Sequence, residues 1–210
     1  MPEQVQKSWF GFDHYYSDCS FDEAMEIDFD GKRRSLLDVG GNTGRFSMKC
    51  VTRNAEAEVT IMDLPQQLEM MRAQTKGKPG ADRIHGHGAN LLDEKVPFPT
   101  GFDAIWMSQF LDCFSLHQVT KILKKVYEAA NENTNVWVLE PLWDQQKFEA
   151  SSYALQGTSL YFTCIANGNS KMYRFQELVD AIEEAGFKLD VAHHNLGSNA
   201  YSLLCFKKRR

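Results

Sequence analysis

One feature restricts the folds open to this chain. An apolar stretch, Ser35-Leu-Leu-Asp-Val39, runs without a break into Gly40-Gly-Asn-Thr-Gly44, and a second, Glu58-Val-Thr-Ile-Met62, ends in Asp63-Leu-Pro65. The first reads as a short strand, a glycine-rich turn and a helix from Arg45 to Thr52. The second reads as a strand and a helix that Pro65 starts and Gln74 ends. Successive strand-helix units return the chain in the same direction, so the strands lie parallel. The alternation continues with a weak strand from Arg83 to Gly88, a more apolar one from Asp103 to Phe110, and a fifth from Asn135 to Glu140.

Between the last two, Ser115-Leu-His-Gln118 has the form of a capping box opening a helix with apolar Val119, Ile122, Leu123, Val126 and Ala130. Ser20-Phe-Asp-Glu23 has the same form and predicts a short helix through Met25. Residues 141–171 read as long, irregular and aromatic-rich, and Gln176 to Ala185 as a helix stopped by Gly186. Lys188 to His194 and Tyr201 to Phe206, joined by Asn195 to Asn199, read as a closing hairpin. The expected fold is α/β: a doubly wound, mostly parallel seven-stranded sheet with a C-terminal antiparallel hairpin. It occupies one domain, 1–210, with 1–34 as a helical lead-in and 141–172 as a pocket-forming insertion.

Composition narrows the partners. The 210 residues carry a formal net charge of −5, which argues against a phosphate-binding surface and hence against nucleic acid. The one dense basic run, Lys207 to Arg210, reads as a solvated tail. Five cysteines never form CxxC and sit mostly in apolar runs, pointing to a reducing cytoplasm. The first twenty residues contain no apolar signal region, and no stretch of about 18 apolar residues could span a bilayer, so no membrane partner is expected.

In doubly wound sheets a ligand binds outside the carboxyl ends of the strands. Glycines after Asp38 let the backbone approach it, and Asp63, ending the second strand, can accept two ribose hydroxyls. Such a nucleoside pocket suits a nicotinamide or flavin dinucleotide or S-adenosylmethionine (SAM). A dinucleotide fingerprint requires G-x-G-x-x-G; here Asn42 and Thr43 leave no third glycine at that spacing, and the hairpin also suits SAM enzymes better.

At LLDVGGNTG, IMDLPQQL, GANLLD, FDAIWMSQFLDCFS, VWVLEPL and EEAGF, together with FDHYYSDCS near the start, the sequence resembles the class I SAM-dependent methyltransferases. Within them it resembles the small-molecule O-methyltransferases related to the caffeic acid, hydroxyindole and hydroxyneurosporene enzymes. The resemblance implies SAM as cofactor, a small aromatic or polyketide-like acceptor and a homodimer. It implies that Gly40, Gly41 and Asn42 face the methionine part, Asp63 takes the ribose hydroxyls and Leu64 packs on adenine. Asn90 stands where the family has an acid near the adenine amino group; Ser20 falls near the SAM carboxylate, and Met107 and Ser108 lie on the strand lining the cofactor. Helix capping competes for Ser20, and an ordinary core role for Met107.

Two departures stand out. The family's separate N-terminal helical domain is missing, so the chain is expected to be either a fragment or a stand-alone catalytic unit. The family's L-H-D-W places its histidine base at Asp112, its aspartate at Cys113 and its tryptophan at Phe114; one supporting glutamate matches Glu140, while the other falls near Phe175 and is lost. A phenol of pKa ~10 is about 3 units harder to deprotonate with an aspartate (~3.9) than with a histidine (~6.5), roughly 4 kcal/mol. Burial raising the aspartate's pKa, or a more acidic acceptor, would remove that gap. Cys113 has no histidine partner for a nucleophilic role. His117 is a displaced-base candidate; His85 and His87, two apart, could share a metal but have no acid or cysteine partner at ligand spacing and read as a surface loop, and His193 and His194 point to opposite faces of a strand. Trp106, Trp143, Tyr153, Tyr161 and Phe162 are candidates to line an acceptor pocket. The expected activity is methyl transfer to a hydroxyl, with Asp112 and Glu140 as catalytic carboxylates. A SAM-binding regulator or scaffold without transfer, and a nicotinamide-dependent oxidoreductase, are the alternatives.

Overall fold

The computed structural model describes residues 17–29, 31–164 and 168–209. Phe12 to Tyr16 of FDHYYSDCS, part of the 1–34 lead-in and Arg210 of the basic run lie outside the described residues. The expected strands form: β1 (Ser35–Val39), β2 (Glu58–Asp63), β3 (Ile84–Gly88), β4 (Ala104–Ser108), β5 (Asn135–Glu140), β6 (Phe187–Leu196) and β7 (Tyr201–Lys208). They pair in one sheet in the order β3-β2-β1-β4-β5-β7-β6. β1 to β5 are parallel, and β7 is antiparallel to both of its neighbours. The order reverses between β1 and β4, which are direct neighbours, so the crevice available to a ligand opens at their carboxyl ends.

The central strands β1, β4 and β5 are almost wholly buried and apolar because both faces are covered, whereas the edge strands β3 and β6 carry polar, partly exposed residues. Alternation sends Leu37, Val39, Ile105, Met107, Val136 and Val138 to one face and Leu36, Val59, Ile61, Trp106, Trp137 and Leu139 to the other. Against the first face pack α3 (Leu116–Ala129) and α5 (Phe175–Glu184). Burying Val119, Ile122, Leu123 and Val126 of α3 contributes about 1.5–3 kcal/mol apiece. Against the second face pack α1 (Arg45–Arg53) and the helical residues 17–24 with the π turn Met25–Phe29; α2 (Pro65–Thr75) adds Leu68 and Met71.

The Ser115 capping box is present: Ser115 Oγ accepts from Gln118 N at 3.4 Å and Gln118 Oε1 accepts from Ser115 N at 3.0 Å. Three expectations need correction. Ser20 does not start a helix, because residues 17–19 are already helical and Ser17, Ser20, Phe21, Ala24 and Met25 form a buried stripe. The segment expected to be irregular holds α4 (Glu149–Phe162), a helix with no buried residue, which therefore lacks the apolar stripe that marks a packed one. β4 ends at Ser108 rather than Phe110, because Gln109 has φ 45°, a left-handed conformation incompatible with a strand. Among the described residues no helix is long and apolar enough to cross a membrane.

Candidate active site

The glycine turn is shaped by close approach. At Gly40, with φ 72°, a Cβ would lie 2.3 Å from Cδ2 of Phe110; at Gly41 it would lie 2.7 Å from Oδ2 of Asp38. Asn42 bends the chain with φ 47° and donates its N–H to Asp63 Oδ2 at 2.9 Å, while Asp63 Oδ1 accepts from Leu64 N at 2.7 Å. The acid ending β2 thus ties the turn after β1 to the start of α2. One residue into the first turn of α1, Phe46 stacks on Trp106 of β4 with centroids 4.0 Å apart and planes 8° from parallel. Ser47 donates to Asp38 Oδ2 at 2.6 Å. Trp106 and Asp38 are direct register partners on adjacent strands, so both side chains reach the same face.

Between them lies a cleft bordered by Ser17, Asp38, Gly40 to Asn42, Trp106, Ser108 and Gln109. Its enclosed part measures about 40 Å³, room for roughly three water-sized groups. Asn42 Oδ1, Trp106 Nε1 and Ser108 Oγ are buried there without a hydrogen-bond partner among the described residues. Buried polar atoms are almost always paired, so three orphans around one cleft mark a place built for a polar ligand. Their chemistry sorts by sign. Asn42 Oδ1 and the Asp38 carboxylate accept, whereas the indole N–H can only donate and the Ser108 hydroxyl is able to. That pattern fits an ammonium and a carboxylate, the two ends of an α-amino-acid head group.

A second, larger cavity of about 500 Å³ lies beside it, bordered by Pro141, Leu155, Tyr161, Phe162, Met172 and Tyr201, and again by Gln109. It is mainly apolar, of the size of an ordinary small-molecule site. The aromatic residues picked out from sequence divide. Tyr161 and Phe162 border this cavity and Trp106 borders the smaller cleft, while Trp143 lies under the Arg174 guanidinium at 5.3 Å and Tyr153 is 80% exposed on α4.

Residues 20–188 match the O-methyltransferase domain family. The chain belongs to this family. Among similar proteins are the bacteriochlorophyllide d C-20 methyltransferase of Chlorobaculum tepidum, 23% identical over 75% of this chain and 46% of its own, and the 3-hydroxy-5-methyl-1-naphthoate 3-O-methyltransferase of Streptomyces sahachiroi, 25% identical over 78% and 45%. The chain therefore spans about half the length of these relatives. Its fold is that of an O-methyltransferase from neocarzinostatin biosynthesis, solved with S-adenosyl-L-homocysteine and 1,4-dihydroxy-2-naphthoic acid. The TM-score is 0.82 at 19% identity, over 98% of this chain and 58% of that one.

Against this O-methyltransferase frame the expected site residues separate. Asp38, Gly40, Gly41, Asn42 and Ser108 border the cleft. Asp63 stands behind the turn, and Leu64, 40% exposed, leaves an apolar side chain open next to it. Ser20 is fully buried and donates to Leu196 O at 3.1 Å; Ser17, one turn earlier, borders the cleft in its place. Met107 is fully buried in the opposite face of the sheet, and Asn90 is exposed, its Oδ1 accepting from Leu92 N at 3.1 Å. Gln109 and Trp106 also border this cleft and were not among the residues expected there. The visible signal was a polar pair, Ser108-Gln109, interrupting an apolar run at the carboxyl end of a central strand.

The expected catalytic carboxylates lie deeper. Glu140, at the end of β5 and 1% exposed, accepts through Oε1 from Phe110 N at 3.0 Å and Leu111 N at 2.8 Å. Burial, reinforced by the charge of neighbouring Asp112, pushes its carboxyl well above the usual range. Asp112 sits in the 3-10 turn Leu111–Cys113, is 8% exposed, and borders neither cavity. Tyr173 closes this corner by donating its hydroxyl to Phe114 O, and burial followed by the Glu140 and Asp112 charges raises its phenol. His117 is exposed on α3 and also borders neither cavity. His85 pairs with Glu58 at 2.7 Å, and no cluster able to hold a metal occurs among the described residues.

Proposed function

We propose that the chain is the catalytic part of a SAM-dependent methyltransferase that methylates a hydroxyl on a small aromatic or polyketide-like acceptor. Two adjoining cavities at the carboxyl ends of β1 and β4, one polar and one apolar, with Gln109 bordering both, carry this reading. The polar cleft would hold the amino-acid end of SAM, with Asn42 and Asp38 toward its ammonium and Trp106, Ser108 and Ser17 toward its carboxylate. The nucleoside would lie over the open edge, on Leu64 and within reach of Asp63; Asn90 and Ser20 stay outside this set. Bound SAM supplies a methyl on a sulfonium, and the protein's work is to align an acceptor oxygen in line with it. The single domain 1–210, with 141–172 as the acceptor wall, a cytoplasmic location and a homodimer complete the proposal. None of the five cysteines is in a disulfide, which supports a reducing compartment.

Incubating the protein with methyl-labelled SAM and a panel of phenols, catechols and hydroxynaphthoates tests transfer, and calorimetry with SAM tests binding. Saturable SAM binding with no transfer would favour a regulator or scaffold; NADH binding in place of SAM would favour an oxidoreductase.

Two outcomes belong to the cleft itself. Burial raises Asp38 to about 7, with a further push from Asp63. Its neutral form is therefore favoured below about 7, and the stability this contributes is lost as pH rises through about 7. An incoming ammonium favours the ionised form, so SAM should bind more tightly as pH rises from 6 to 8, and Asp38→Asn should flatten that slope in calorimetric titrations. Trp106→Phe keeps a ring against Phe46 but removes the donor. A hydrogen bond to a charged group is worth about 1.5–3 kcal/mol, so the dissociation constant should rise about tenfold or more.

A further inference from the structure

Resting on that reading, we propose that Gln109 positions the methyl acceptor: where the cleft meets the apolar cavity, its carboxamide donates Nε2–H to the acceptor oxygen as an anion. Gln109 borders both cavities. Its backbone is held on each side: its own N–H donates to Leu139 O at 2.9 Å, and the next two N–H groups are taken by Glu140. Its side chain is half-buried, and the carboxamide makes no hydrogen bond with another described residue. A long, unbranched side chain is thus kept at φ 45°, where glycine would sit without strain. Strained backbone of this kind clusters at ligand sites, and here it aims an unused amide at the junction of two cavities.

The chemistry of the neighbours favours an amide. Asp112 borders neither cavity and lies beside the Glu140 carboxyl, so among the described residues no carboxylate borders the apolar cavity. A neutral donor stabilises an oxyanion, which a carboxylate would repel. In the step that follows, the acceptor hydroxyl first releases its proton to solvent. The oxyanion forms the new C–O bond as the methyl's bond to sulfur breaks and the electron pair goes to sulfur, giving the methyl ether and S-adenosylhomocysteine. Gln109 exchanges no proton. The acceptor class is therefore one that ionises readily by itself, such as acidic phenols, hydroxyquinones and enolised diketones, rather than simple phenols.

Methyl transfer from labelled SAM to naphthols and nitrophenols graded in acidity tests this, with SAM binding followed by calorimetry in every variant. For the wild-type chain, kcat should rise about tenfold per pH unit up to the pKa of each bound acceptor, with the break moving along the series as acceptor acidity changes. Gln109→Leu should lose at least thirtyfold in kcat/KM, with SAM affinity within a few-fold and the break displaced toward the acceptor's pKa in water. Gln109→Asn should recover part of the loss, while Gln109→Gly, which relaxes the backbone, should unfold at higher temperature and remain as inactive as Gln109→Leu. Wild-type rates for Gln109→Leu and Gln109→Gly, or a pH break that stays fixed across acceptors, would overturn the role of Gln109 and leave methyl transfer intact. A wild-type chain that binds SAM and methylates no member of the series would overturn both.

Discussion

Glu140→Ala is expected to lower stability by about 4 kcal/mol, read from urea unfolding near neutral pH, while Glu140→Gln costs less than about 1 kcal/mol. The Glu140 carboxyl accepts the N–H groups of Phe110 and Leu111 inside the protein, and alanine leaves both without a partner. Each buried donor so orphaned costs about 1–3 kcal/mol, and removing the side chain leaves a void besides. Against a typical total of roughly 5–15 kcal/mol, that loss is large. Glutamine keeps an oxygen where Oε1 now accepts. The raised Glu140 carboxyl also fixes the sign of a pH effect: stability it contributes in its neutral form is lost as pH rises through its elevated pKa. The Gln variant should be less sensitive to alkaline pH than the parent. Because the same two bonds fix the chain just after Gln109, the Ala variant should lose the shape of both cavities as well. Glu140 thus acts as a positioning residue, holding the turn that carries Asp112.

The second large effect is expected at Gly40→Ala. The new Cβ would stand 2.3 Å from the Phe110 ring, which is itself packed edge-on against Phe114 at 5.0 Å, and the backbone there has φ 72°. Left-handed strain and overpacking each cost about 1–3 kcal/mol, so a loss of about 3 kcal/mol is expected in unfolding experiments. Phe110 must move to relieve the contact, and Gln109 and Leu111 move with it. SAM affinity should then fall by at least tenfold in calorimetry.

The centre of the sheet was legible because its code is simple: β1, β2 and β5 are short, largely apolar runs that stop at glycine or an acid, and β1 and β4 lead into α1 and α3, each with a clear apolar stripe. α3 was readable to its cap, since Ser115 and Gln118 satisfy each other locally. α4 was hidden for the opposite reason. Leu160 and Tyr161 are 67% and 51% exposed, so the helix does not pack a buried stripe against the sheet and leaves no periodic trace. Ser20 shows how a polar residue on a buried stripe misleads, for side-chain type alone suggested a cap.

The site was half legible. Asp38, Gly40, Gly41 and Asn42 follow from backbone needs that sequence spells out, namely a tight turn after a strand. Asp112 illustrates the limit: spacing gives its place in the chain, but its direction is set by a 3-10 turn anchored on Glu140 through Phe110 and Leu111, contacts 30 and 29 positions along the chain that no local pattern records. Gln109 escaped because glutamine carries no signal for a left-handed backbone.

A crystal structure of the protein with S-adenosylhomocysteine and a hydroxynaphthoic acid tests the central claim most directly. It should show the amino-acid end between Asn42 and Trp106, the ribose at Asp63, and the ring in the cavity bordered by Tyr161, Phe162 and Met172, with its oxygen on the Gln109 amide and facing the sulfur. A cofactor bound away from the Gly40 turn, or a ring seated out of line with the sulfur, would contradict it.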